Sequence, residues 1–90
     1  LAAFNPHVTI TSVKQVGRSV VITGSLECSK YKMSQSITTK NGMINLSIVG
    51  VERSKYIECK SPVPFTVGIN PPKGTWRIYV NGKYWITFKG

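Results

Sequence analysis

The chain has 90 residues, enough for one hydrophobic core and too few for a second domain. Twelve Lys and Arg stand against three acids, Glu27, Glu52 and Glu58, giving a formal net charge of +9, and 41% of the residues are hydrophobic. No apolar run approaches the roughly 20 residues of a membrane-spanning helix. What composition leaves is a folded globule whose field attracts polyanions: nucleic acid, acidic polysaccharide, anionic lipid headgroups or an acidic protein.

Read in chain order, the opening "LAAFNP" (Leu1–Pro6) has neither the basic start nor the full apolar stretch of a secretory signal. Alternation begins at "HVTITSV", with Val8 and Ile10 on one side and Thr9 and Thr11 on the other. Gly17-Arg18 turns the chain into "SVVITGSLEC", where Val20, Ile22, Leu26 and Cys28 share a face opposite Thr23, Ser25 and Glu27. "KYKMSQ" reads as a polar loop or irregular edge. In "SITTKNGMINLSIV", Asn41-Gly42 marks a hairpin with a two-residue loop. That loop sets Thr39 opposite Ile44 and Ile37 opposite Leu46. Ile37, Ile44, Leu46 and Ile48 then face inward, and Thr38, Lys40, Met43, Asn45 and Ser47 face outward. "YIEC" and "PFTVGI" read as short strands, and "NPPKG" is a corner, because two prolines cannot sit inside a strand. About seven short strands with closely spaced turns predict an all-β protein: a single antiparallel β-sandwich spanning residues 1–90.

The last segment, "GTWRIYVNGKYWITFKG", is a hairpin around Asn81-Gly82. A two-residue loop there, with strict alternation, would place Ile86 and Phe88 beside Arg77. A three-residue loop, Val80-Asn81-Gly82, avoids this by setting Ile78 opposite Tyr84 and Trp76 opposite Ile86. On that register Trp76, Ile78, Tyr84, Ile86 and Phe88 build the core. Arg77, Tyr79, Lys83, Trp85, Thr87 and Lys89 form the outer face.

The succession "ITSVKQVGRSVVITGSL", "PFTVGI" and "PPKGTWRIYVNG" resembles bacterial immunoglobulin-like and fibronectin-type-III-like domains. These often close on a glycine-aromatic-aliphatic-Val-Asn-Gly hairpin, matched here by Gly74, Trp76, Ile78, Val80, Asn81 and Gly82. The resemblance implies an immunoglobulin-like sandwich with a binding or spacer role. The chain departs from the antibody pattern in two ways: Cys59 falls well before the penultimate strand, and the interior Trp of the central strand is missing.

Cys28 and Cys59 fit no zinc spacing, and His7 alone cannot complete a four-ligand site. They read either as a disulfide on two inward-facing positions or as two buried thiols. A disulfide would contribute roughly 3–4 kcal/mol in the chain-entropy model and would imply a periplasmic or extracellular address. Catalytic patterns are not found. A chain without Asp holds no Ser-His-Asp triad, its glycines form no phosphate loop, and Glu52 and Glu58 sit among cations as salt-bridge formers. No cofactor or metal motif is present. Asn45-Leu46-Ser47 is a glycosylation sequon.

These observations predict a secreted or periplasmic, non-catalytic binding module. Its ligand-binding residues are Arg77, Tyr79, Lys83, Trp85 and Lys89, cations interleaved with rings that can stack on a planar or sugar ring while engaging anionic groups. The partner is then an anionic ligand, a polysaccharide or an acidic protein. Two alternatives stand beside this one. A small nucleic-acid-binding barrel would stack single strands on Tyr79 and Trp85, and a secreted inhibitor or structural subunit of a cell-surface assembly would use edges and loops.

Overall fold

β-Branched and aromatic residues alternating with small polar ones form seven strands in the computed structural model, which describes residues 7–90. Leu1–Pro6, and with them the signal-peptide reading, lie outside the described residues. The strands are β1 (Val8–Val16), β2 (Ser19–Leu26), β3 (Tyr31–Lys40), β4 (Met43–Glu52), β5 (Val63–Ile69), β6 (Thr75–Val80) and β7 (Lys83–Lys89). They make a three-stranded sheet, β1-β2-β5, and a four-stranded sheet, β3-β4-β6-β7. Among the described residues no helix is long and apolar enough to cross a membrane.

The two sheets bury one core between them. Val13, Val20, Ile22, Val67 and Ile69 come from the first sheet, and Ile44, Leu46, Ile48, Ile78, Val80 and Phe88 from the second. Gly24 on β2 belongs to this interior, where a Cβ would come within 2.9 Å of the Phe65 ring. Four of the ladders are antiparallel, as expected, but β4 and β6 pair in parallel. The cause is the crossover. After β4 the chain passes to the other sheet as β5, which runs back, so β6 returns in the direction of β4.

The Asn41-Gly42 hairpin has the expected register, Thr39 opposite Ile44 and Ile37 opposite Leu46. Both turn residues have positive φ, 50° and 76°, as a two-residue primed turn requires. The face assignment holds for Ile44, Leu46 and Ile48, which are buried, but Ile37 is 46% exposed. "KYKMSQ" is not a loop. From Tyr31 onward it belongs to β3, an edge strand of the sheet but a regular one, paired with β4 without a break.

Near the β2–β3 connection a disulfide joins Cys28 to Cys59, with Cα atoms 5.1 Å apart. Cys28 is buried and Cys59 is exposed, so the expectation of two inward-facing positions is corrected for Cys59. "YIEC" is not a strand. Residues 53–62 instead form a turn-rich segment held by Arg53 N–H donating to Lys30 O (2.9 Å), by Ile57 N–H donating to Ser54 O (3.3 Å) and by the disulfide.

Two side-chain amides act as pieces of backbone. Gln15 on β1 donates to Lys89 O (2.7 Å) and accepts from Lys89 N–H (3.1 Å), closing the seam between β1 and β7 across the two sheets. Asn81 accepts from Ile48 N–H (2.8 Å) and donates to Ile48 O (3.0 Å), while its own N–H reaches Leu46 O (2.8 Å). The carboxamide thus extends the parallel ladder one step past the end of β6.

Candidate functional site

The last hairpin decides which side chains share the solvent face of the four-stranded sheet. Its loop is two residues, not three: Val80 pairs with Lys83 and Tyr79 with Tyr84, and Asn81 and Gly82 both have positive φ, 51° and 82°. The register then shifts between Ile78 and Tyr79, so that Ile78 pairs with Ile86 and Trp85 is the extra residue of a β-bulge. A bulge puts two consecutive residues on one side. Trp85 and Ile86 both pack against the core, and Phe88 beyond them is buried.

The predicted outer face is therefore corrected at three positions. Lys83 and Trp85 leave it: Trp85 turns inward, with its Nε1 buried and without a hydrogen-bond partner among the described residues, and Lys83 Nζ lies 4.3 Å from the centroid of the Trp85 ring. Tyr84, expected in the core, joins the outer face and is 46% exposed. Arg77, Tyr79 and Lys89 remain where they were placed, with Thr87 between them.

Strand registers order this face into rows. Lys40 pairs with Met43, Met43 with Arg77 and Arg77 with Thr87, so these four cross the sheet side by side. The next row is Thr38, Asn45, Tyr79 and Tyr84, and Ser36 and Ser47 follow. With strands about 4.8 Å apart, a four-residue row spans roughly 14 Å. Tyr79 and Tyr84 meet edge to face, centroids 5.6 Å apart at 64°, and the Tyr84 hydroxyl lies 2.6 Å from Thr87 Oγ1. A shallow polar groove runs beside them, lined by Ser36, Thr38, Asn45, Ser47 and Asn81.

Charge is distributed unevenly along the molecule. All three carboxylates lie toward the disulfide end, where Glu27 contacts His7 (2.8 Å), Glu52 contacts Lys30 (3.4 Å) and Glu58 contacts Lys60 (3.4 Å). Lys40, Arg77 and Lys89 lie toward the opposite end and form no ion pair among the described residues. Arg18 and Lys73 add to that end, lining a cleft of about 270 Å³ with Pro71, Phe88 and Gly90. The arrangement presents hydroxyls, an amide, two phenols and unpaired cations on one surface. It offers hydrogen bonds and charge to a ligand.

Of this surface, sequence alternation finds Arg77, Tyr79 and Lys89 and misses Tyr84; it turns Asn45 outward but does not set it beside Tyr79. The signal for Tyr84 is the Asn-Gly dipeptide, whose preference for a two-residue primed turn fixes Tyr84 opposite Tyr79. The adjacency of Asn45 and Tyr79 comes only from the parallel β4–β6 ladder, which no local pattern announces. Comparison with protein-family models, with curated proteins and with solved structures returns no match.

Proposed function

We propose that the protein is an exported, non-catalytic binding module whose four-stranded sheet takes an acidic polysaccharide on its outer face. The observation that carries this reading is the pairing of Tyr79 and Tyr84 beside Arg77 and Lys89, with no carboxylate on that face. Sugar rings offer C–H faces to phenols and hydroxyls to Asn45, Ser47 and Thr38, while uronate or sulfate groups meet the cations. Export is supported by the disulfide, which persists in oxidising compartments. The rhythm shared with immunoglobulin-like and fibronectin-type-III-like domains points the same way, toward recognition rather than catalysis.

The test is a calorimetric titration with a uronic-acid oligosaccharide and its neutral hexose counterpart. Arg77→Ala and Lys89→Ala should each weaken binding of the acidic oligosaccharide, and the loss should shrink at high salt because exposed charges are screened beyond about 8 Å at physiological ionic strength. Tyr79→Ala should weaken binding at every salt concentration, since contact area is lost. Equal affinity of the wild type for both oligosaccharides, or binding indifferent to all three substitutions, overturns the reading.

A further inference from the structure

Four strands stand at sheet edges: β1 and β5 in one sheet, β3 and β7 in the other. Natural sheets protect such edges with prolines, bulges, charges or a cover, since a free row of N–H and C=O groups invites another strand. Three of these edges are protected in that way. β5 carries Pro64, β1 is bulged at Thr11 and β7 at Trp85, and Gln15 ties β1 to β7.

β3 is different. It is 10 residues long, has no proline, keeps an unbroken register with β4, and pairs with nothing else among the described residues. From Ser34 to Lys40 it is exposed on both faces. Gln35, Ile37 and Thr39, on the core side of the sheet, are exposed too. The only charges on the strand are Lys32 and Lys40, at its two ends and on its outer face.

Those lysines select the occupant. Antiparallel pairing with a second copy that keeps the outer faces together has two registers of best overlap. Centred on Ser36 it sets Lys32 against Lys40 twice; centred on Gln35 it carries Lys40 past the end of the partner strand, beside Lys30, which lies outside β3 and contacts Glu52 (3.4 Å). Like charges directly opposite each other are destabilising, and each copy brings a net +9. We propose that the free edge of β3 accepts an extended acidic segment of a protein partner as an eighth strand, with carboxylates opposite Lys32 and Lys40 and apolar side chains beside Ile37. Main-chain hydrogen bonds then provide affinity and the terminal charges provide choice of partner. This inference concerns the strand edge and does not draw on the sugar-binding reading of the sheet face.

The probe is a capped nine-residue peptide, Glu-Val-Thr-Val-Thr-Val-Thr-Val-Glu, with a counterpart in which both Glu are Lys. Amide exchange and chemical shifts are followed by NMR on the intact protein. The acidic peptide should slow exchange of the Ser34–Lys40 amides and bind about tenfold more tightly than its lysine counterpart, as two cross-strand charge pairs allow. The double variant Lys32→Glu with Lys40→Glu, which touches no core residue, should reverse that preference. The proposal is overturned if the two peptides bind equally, if the perturbed amides lie off β3, or if the protein alone sediments as a dimer with the same amides already protected. Failure of the oligosaccharide titration leaves these readouts unchanged, so the two surfaces are tested separately.

Discussion

Asn81 and Asn41 occupy equivalent turn positions, both followed by glycine and both at positive φ, yet they do different work. Asn81 satisfies the N–H and C=O of buried Ile48, whereas the exposed Asn41 forms no side-chain hydrogen bond among the described residues. Replacing either by Gly keeps the backbone comfortable at positive φ, so the pair of variants isolates the carboxamide. Asn41→Gly should be close to neutral. Asn81→Gly should cost about 1–3 kcal/mol in chemical denaturation, the penalty for stranding buried backbone groups. Trp85 allows a second residue-level comparison. Its indole N–H is buried without a partner among the described residues, so Trp85→Phe keeps most of the packing and removes an unsatisfied donor. That variant should be nearly neutral. Phe88→Ala should cost about 3–5 kcal/mol, as aromatic truncations in cores do, and should exceed Trp85→Ala, because Phe88 is fully buried and Trp85 is not.

Elements show where alternation is a sufficient guide and where it fails. β2 and β4 are legible because their inward residues fall strictly at every second position, from Val20 to Leu26 and from Ile44 to Ile48. β1 and β7 are not, because each contains an extra residue. In β1 the ladder shifts between Ile10 and Ser12, which lets Val13 join Val8 and Ile10 inside despite the wrong parity. Hydroxyls occupy the irregularity: Thr11 donates to Thr23 O (3.0 Å), and Ser12 and Thr23 are hydrogen-bonded through their side chains. In β7 the bulge at Trp85 reconciles a two-residue Asn-Gly turn with an inward Phe88. Strict alternation forces a choice between those two features and shifts the loop by a residue, which is why Lys83 and Trp85 were expected outside. The turn chemistry was the better guide. An apolar pair such as Trp85-Ile86 following a polar start is the local sign that one residue is supernumerary.

For the whole molecule, the all-β class and most strands are readable from the pattern of β-branched residues and turns. The parallel ladder depends on a crossover through the second sheet and leaves no local trace. The candidate face inherits that division: the outward residues of the β3–β4 hairpin and part of those of β6–β7 are legible, and the junction that joins the two hairpins is not. The disulfide is a global constraint of the same kind, tying the β2–β3 connection to the strandless segment before β5. Reduction should lower stability by roughly 3–4 kcal/mol in the chain-entropy model. Denaturation with and without reductant measures this, and mass spectrometry of the native chain should show two hydrogens fewer than the reduced form.

Asn-Gly sequences age by deamidation, in which the following glycine nitrogen attacks the side-chain carbonyl and expels ammonia, and water then opens the succinimide to Asp or isoaspartate. The reaction needs the carboxamide free to rotate toward that nitrogen. Asn81 is clamped by two hydrogen bonds to Ile48, and the Asn41 side chain is held by none among the described residues. Stored at neutral pH, the protein should acquire its first deamidation at Asn41, detectable by peptide mapping, while Asn81 stays intact as long as the fold does. Damage at Asn41 would add a negative charge next to Lys40, at the rim of the basic face. The reaction at Asn81 would turn a donor into a carboxylate facing a buried carbonyl, so its appearance in aged samples would report unfolding rather than shelf time.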